Sequence, residues 1–167
     1  MIKKCQTFGQ ICFYLLAFPL LMEANSTTFL TDTCIVLEIS QTISNSDDDA
    51  EEYPNGSMYL NSSDLELINE AGTGDQTVGL RFSNLSLPQG VEIQEAYLQF
   101  TTDDEFSTGF TNLTIKTEAS NDALPFQTND FNLSSRPQSS AEVSWLPGGW
   151  LTAGERGAQQ KTPDLKT

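Results

Sequence analysis

A chain of 167 residues with 23 acidic and 8 basic side chains, three cysteines and no histidine has room for one hydrophobic core and excludes several chemistries. Without histidine there is no Ser-His-Asp or Cys-His catalytic machinery and no imidazole for zinc. So acidic a surface repels phosphate backbones and anionic lipid, which sets aside nucleic acid and membrane surfaces as partners.

At the N-terminus, Lys3 and Lys4 precede an apolar run from Ile11 to Met22, and Ala24-Asn25-Ser26 follows. A basic start, an apolar centre of about a dozen residues and an A-x-S site describe a secretory signal peptide. A spanning helix needs ~20 apolar residues, and this shorter run contains Pro19. We therefore expect residues 1–26 to be cleaved and residues 27–167 to form a single exported module. Cleavage removes Lys3, Lys4 and Glu23, leaving 22 acidic against 6 basic side chains. It also removes Cys5 and Cys12, so Cys34 has no intrachain disulfide partner and the fold must rest on its core.

In the mature region, Ile35, Leu37, Ile39 and Ile43 alternate with polar residues and predict a first strand. Asn45 to Ser57, NSDDDAEEYPNGS, predicts an acidic solvent-exposed loop, followed by short strands over Met58 to Asn61 and Asp64 to Ile68. Val78, Leu80 and Phe82, then Ala96, Leu98 and Phe100, predict two strands paired around the turn Pro88-Gln89-Gly90. Further strands are expected over Thr111 to Ala119 and Ala141 to Trp145. Ser120 to Ser140 between them is expected to be a long loop anchored by Phe126 and Phe131. Thr162-Pro163-Asp164-Leu165 has the pattern of a helix start, with Thr162 as N-cap and Pro163 at the first helical position. Short strands and polar turns with no helical period elsewhere predict an all-β fold, an antiparallel β-sandwich of jelly-roll type. The uncontinued helix start adds the expectation that its C-terminal end is incomplete.

The phrase LPQGVEIQEAYLQF, preceded by VGLRF, resembles secreted bacterial jelly-roll modules related to the disaggregatase-repeat (DNRLRE) and alginate-binding carbohydrate-binding modules. The matching positions are Leu80, Arg81, Phe82, Pro88, Gly90, Ile93, Ala96, Leu98 and Phe100, and the likeness runs from about Ser44 to Leu165. It implies a module of a larger exported protein. The matched residues are mostly structural and support a fold more than an activity.

Metal chemistry without histidine is oxygen-based, and calcium is the expected ion. Its candidate ligands are Asp47, Asp49 and Glu51 in the first acidic loop and Asp103 and Asp104 in a second, brought together at one rim. Ala50 stands where an EF-hand loop needs glycine, and a solvated run of charge is the first reading of these acids, with the calcium site second. For a sugar, Tyr97 alternates with core residues and should face outward with Glu95 and Gln99. Arg81 could hold a uronate carboxylate or pair with an acid of the fold. Trp145 and Trp150 are read as core residues first. The sequons at Asn55, Asn61, Asn84, Asn112 and Asn132 matter only in a eukaryotic source. The expected function is that of a secreted, non-catalytic module that binds extracellular polysaccharide or mediates attachment to a matrix, with Arg81, Tyr97 and Gln99 as ligand residues. A spacer module of an adhesin-like protein is the second reading. A glycan-active enzyme built on paired carboxylates is the third.

Overall fold

The computed structural model describes residues 9–15, 35–70, 72–103 and 111–166. Among them there is no α-helix, and every strand pair is antiparallel. The chain is all-β.

The first sheet joins β1 (Gly9–Leu15), β2 (Ile35–Gln41) and β8 (Glu92–Tyr97) in the order β2-β1-β8. The second places β3 (Asp49–Glu52) between β4 (Met58–Tyr59) and β7 (Thr77–Leu80). A small hairpin pairs β5 (Asn69–Glu70) with β6 (Gly74–Asp75), and a longer one pairs β9 (Leu113–Glu118) with β10 (Gln138–Trp145).

The strands expected to pair around Pro88 and Gly90 do not pair. Thr77–Leu80 lies against β3, with Glu51 opposite Val78, whereas Glu92–Tyr97 lies against β1. Their alternation is nonetheless real: Val78, Leu80 and Leu98 all pack on the main core. That core is Leu65, Phe100, Leu113, Trp145 and Trp150. Phe100 stacks on Trp145 with ring centroids 5.6 Å apart and lies 6.0 Å from Trp150, so the end of the β8 segment is bound to the β9–β10 hairpin through aromatic surface. Trp150 satisfies its indole N–H on the Gln159 carbonyl at 3.1 Å.

The acidic segment corrects the expected loop. Asp49 to Glu52 form a central strand, and all four positions are buried. Burying carboxylates is tolerated only where donors meet them. Glu51 accepts the N–H of Glu66 at 2.9 Å and Nε2 of Gln76 at 3.2 Å. Glu52 accepts the N–H groups of Leu133 and Ser134 at 2.7 and 3.0 Å. Asp48, just before the strand, pairs with Arg81. Ala50 sits in a second core with Phe126 and Leu133, supplied by the long loop that follows β9. Phe126 is a buried anchor as expected, but the second anchor is Leu133. Phe131 is 50 % exposed, with its ring lying where a Cβ on Gly56 would stand.

After one 3₁₀ turn at Ala158–Gln160, the C-terminal segment forms no helix at Thr162 to Leu165. It runs extended along the free side of the β8 segment, where Phe100 donates its N–H to the Gln160 carbonyl at 2.8 Å, Thr162 donates to Leu98 at 3.0 Å and Leu165 to Ala96 at 2.6 Å. Thr162 Oγ1 accepts the Leu98 N–H rather than capping a helix. Pro163, lacking an N–H, is suited to such an outer edge.

Candidate functional site

The sugar-binding residues expected from the sequence fall in two places. Arg81 belongs to the β3 network: Nη1 meets Asp48 Oδ1, Nε donates to the Ala123 carbonyl at 2.6 Å, and Ser83 Oγ donates to the second oxygen of Asp48 at 3.2 Å. The guanidinium is therefore committed to an internal ion pair, its acid being Asp48. Burial pushes the Asp48 carboxyl up, but the hydrogen bonds from Arg81 and Asn45, then the Arg81 charge, outweigh this and hold it below its ordinary value.

Tyr97 and Gln99 lie with Glu95 along the β8 segment, where the C-terminal segment brings a residue the sequence reading missed. Lys161 Nζ lies 3.5 Å from the centroid of the Tyr97 ring and 3.1 Å from Glu95 Oε1, with the Lys161 and Glu95 side chains 35 % and 45 % exposed. Gln99 forms an antiparallel bridge with Lys161 and donates Nε2 to the carbonyls of Phe100 and Gly157 at 3.1 and 3.2 Å. The result is a half-exposed ledge carrying an ammonium, an aromatic ring and a carboxylate. The ammonium covers one ring face, which disfavours stacking of a neutral pyranose on that face and favours a ligand carrying negative charge. An exposed Lys–Glu pair contributes about 0–1 kcal/mol, so a ligand carboxylate can take the place of Glu95 at small cost. The alternation of β8 marked Tyr97 and Gln99 as outward residues. Lys161 could have been found only by reading Lys161 to Leu165 as an edge strand.

The expected calcium ligands stand in different environments. Asp47 is exposed, and its carbonyl accepts the Phe126 N–H at 2.9 Å. Asp49 and Glu51 are 6 % and 1 % exposed within β3, and Asp103 is half-buried. Asp104 lies outside the described residues, as does Cys34. Among the described residues, no three His, Cys, Asp or Glu side chains form a group that could hold a metal ion. Glu51 instead joins Gln76, Glu66 and Asp64. Burial, followed by a hydrogen bond between the Glu51 and Glu66 carboxyl groups and the charges of Glu66 and Asp64, pushes Glu51 up to about 8. Trp145 and Trp150 are 6 % and 3 % exposed and belong to the core. No helix among the described residues is long and apolar enough to cross a membrane.

No protein-family model, no curated protein and no solved structure matches this chain.

Proposed function

We propose that the chain is an exported, non-catalytic module of jelly-roll type that attaches to extracellular polysaccharide, with a preference for chains bearing carboxylates. The supporting observation is the ledge of Tyr97, Lys161 and Glu95, where the ammonium is half-exposed and its partner is replaceable. Export is supported by the basic, apolar and small-residue order of residues 3–26. A net negative chain binding a polyanion needs a localised cation, and Lys161 supplies one at an aromatic surface. Burial of both tryptophans favours the second reading, a spacer without a ligand of its own, because the largest stacking surfaces are already used in packing.

Affinity electrophoresis of the exported protein through gels containing alginate, pectin or a neutral glucan distinguishes the two. Retardation by the uronate polymers, abolished in Lys161→Gln and weakened in Tyr97→Ala with both variants folded, is the expected result. Equal mobility in every gel sinks the binding reading and leaves the spacer. The same gels run with calcium and with EDTA test the ion, and calcium-dependent retardation would bring the exposed Asp47 and the half-buried Asp103 into the reading.

A further inference from the structure

Sequence and fold make competing demands on Gly9–Leu15. These residues lie within the segment read as an export signal, and they also form β1, the middle strand between β2 and β8. The pairing register with β2 is continuous, whereas that with β8 shifts at a bulge between Cys12 and Phe13. Ile11 stands opposite Ile39 on β2 and Ala96 on β8, Phe13 opposite Leu37 and Ile93, and Leu15 opposite Ile35. The intervening positions differ: Cys12 stands opposite Glu38 and Glu95, and Tyr14 opposite Val36 and Glu92.

We propose that removal of residues 1–26 opens this slot as an interaction site for an extended segment of another polypeptide, apolar at every second residue and basic between. The inference rests on the export reading of the preceding subsection. Withdrawing a middle strand leaves two facing edges about 9.5 Å apart, twice the interstrand spacing and wide enough for one strand. Among the described residues, β2 has β1 as its sole sheet partner, while the far side of the β8 segment is already taken by the C-terminal segment. The slot is therefore the one place where the unpaired N–H and C=O groups of β2 and β8 are satisfied together. On β8, Glu95 and Glu92 already face Lys161 and Lys166, at 3.1 and 3.8 Å, so the charge preference rests on Glu38, opposite Cys12 on β2, and on the 22 to 6 excess in residues 27–167, which favour a positively charged donor. Strand addition of this kind takes affinity from the main chain and specificity from alternate side chains.

The test uses the full chain exported and processed by a bacterial host, with its N-terminus established by mass spectrometry. Peptides spanning Gly9–Leu15 are then added, carrying Cys12→Ser, Cys12→Lys or Cys12→Glu, with a control that moves each apolar residue to the adjacent position. Saturable binding of the Ser peptide is expected, with a rise of about 5 °C in Tm at a hundredfold excess over Kd. The Lys peptide should bind about 2- to 5-fold more tightly than the Ser peptide, and the Glu peptide more weakly. A processed chain that is unfolded alone and folds with the Ser peptide supports the proposal, and one that stays unfolded overturns it. Binding of none of the peptides, or equal binding of the control, also overturns it. Retention of Gly9–Leu15 in the exported protein overturns it differently, because the slot is then filled by its own chain. Retardation in the polysaccharide gels is read on the same sample and reports separately on the binding reading.

Discussion

Glu52 accepts the backbone N–H of Leu133 at 2.7 Å across 81 positions of sequence. With the Ser134 N–H at 3.0 Å, this bond ties the central strand β3 to the loop that covers it. A buried carboxylate is thereby made compatible with a core containing Ala50, Phe126 and Leu133.

Removing that carboxylate should detach the loop. Glu52→Ala leaves two backbone donors without their acceptor and opens space beside Leu133, so a loss of about 2–4 kcal/mol in unfolding free energy is expected from urea denaturation. Glu52→Gln keeps one acceptor oxygen and should lose less. Equal losses in the two variants would show that side-chain volume, rather than the hydrogen bonds, matters at this site.

The same strand carries a group that responds to pH in the opposite sense to most carboxylates. Glu51 is held near 8, above its ordinary 4.5, by burial, then by its hydrogen bond to Glu66 and the neighbouring acids. The fold favours its protonated form. Its contribution to stability is therefore complete below about pH 4.5 and falls as pH rises through 8. Glu51→Gln preserves the acceptor for Glu66 N–H and Gln76 without a proton to lose. The Tm of the variant relative to the parent should rise steadily between pH 5 and about pH 8.5, by several degrees in all. A constant difference across that range would show that Glu51 is ionised throughout.

Arg136 organises the covering loop through its geometry as much as its charge. It donates Nε to the Asn132 carbonyl at 2.9 Å, Nη1 to Glu118 Oε2 and the Leu124 carbonyl at 2.9 and 2.8 Å, and Nη2 to the Pro125 carbonyl and Asn132 Oδ1 at 3.0 and 3.1 Å. The guanidinium also lies 4.7 Å from the centroid of the Phe126 ring. A lysine keeps the charge but offers its three donors at one point. Arg136→Lys should thus lose about 2–3 kcal/mol, close to the loss in Arg136→Ala, with proteolysis at residues 120–136 as a second readout. Full stability in the lysine variant would assign the residue to charge alone.

Strands whose side chains alternate cleanly were legible in the sequence. Leu113 and Ile115 announce β9, and Phe100, Trp145 and Trp150 meet in the core. Strand β3 was not legible, because DAEE is the composition of a solvated turn and its burial depends on donors at Gln76, Arg81 and Leu133, which only the tertiary fold brings near. Pairing was hidden for a related reason. The short connection through Pro88 and Gly90 suggests a hairpin, but β7 finds its partner in β3. In the candidate site, alternation exposed Tyr97 and Gln99 while giving no hint that Lys161 would lie over the ring, since that contact belongs to a segment with the local pattern of a helix start.

That C-terminal segment provides a direct test of tertiary pairing against local propensity. Thr162 is 3 % exposed and exchanges two bonds with Leu98, donating its N–H to the Leu98 carbonyl and accepting the Leu98 N–H on Oγ1, each at 3.0 Å. Thr162→Val keeps the shape and the strand preference but removes the acceptor, leaving the Leu98 N–H unsatisfied at a loss of about 1–3 kcal/mol. Thr162→Ser retains the oxygen and should stay within about 1 kcal/mol of the parent. Were Thr162 instead a helix N-cap, valine would again be the worse substitute, so stability alone cannot separate the two states. Amide exchange does. The edge pairing predicts that Thr162→Val accelerates exchange at Leu98 itself, on the distant β8 segment, whereas a capped helix predicts acceleration confined to residues after Pro163.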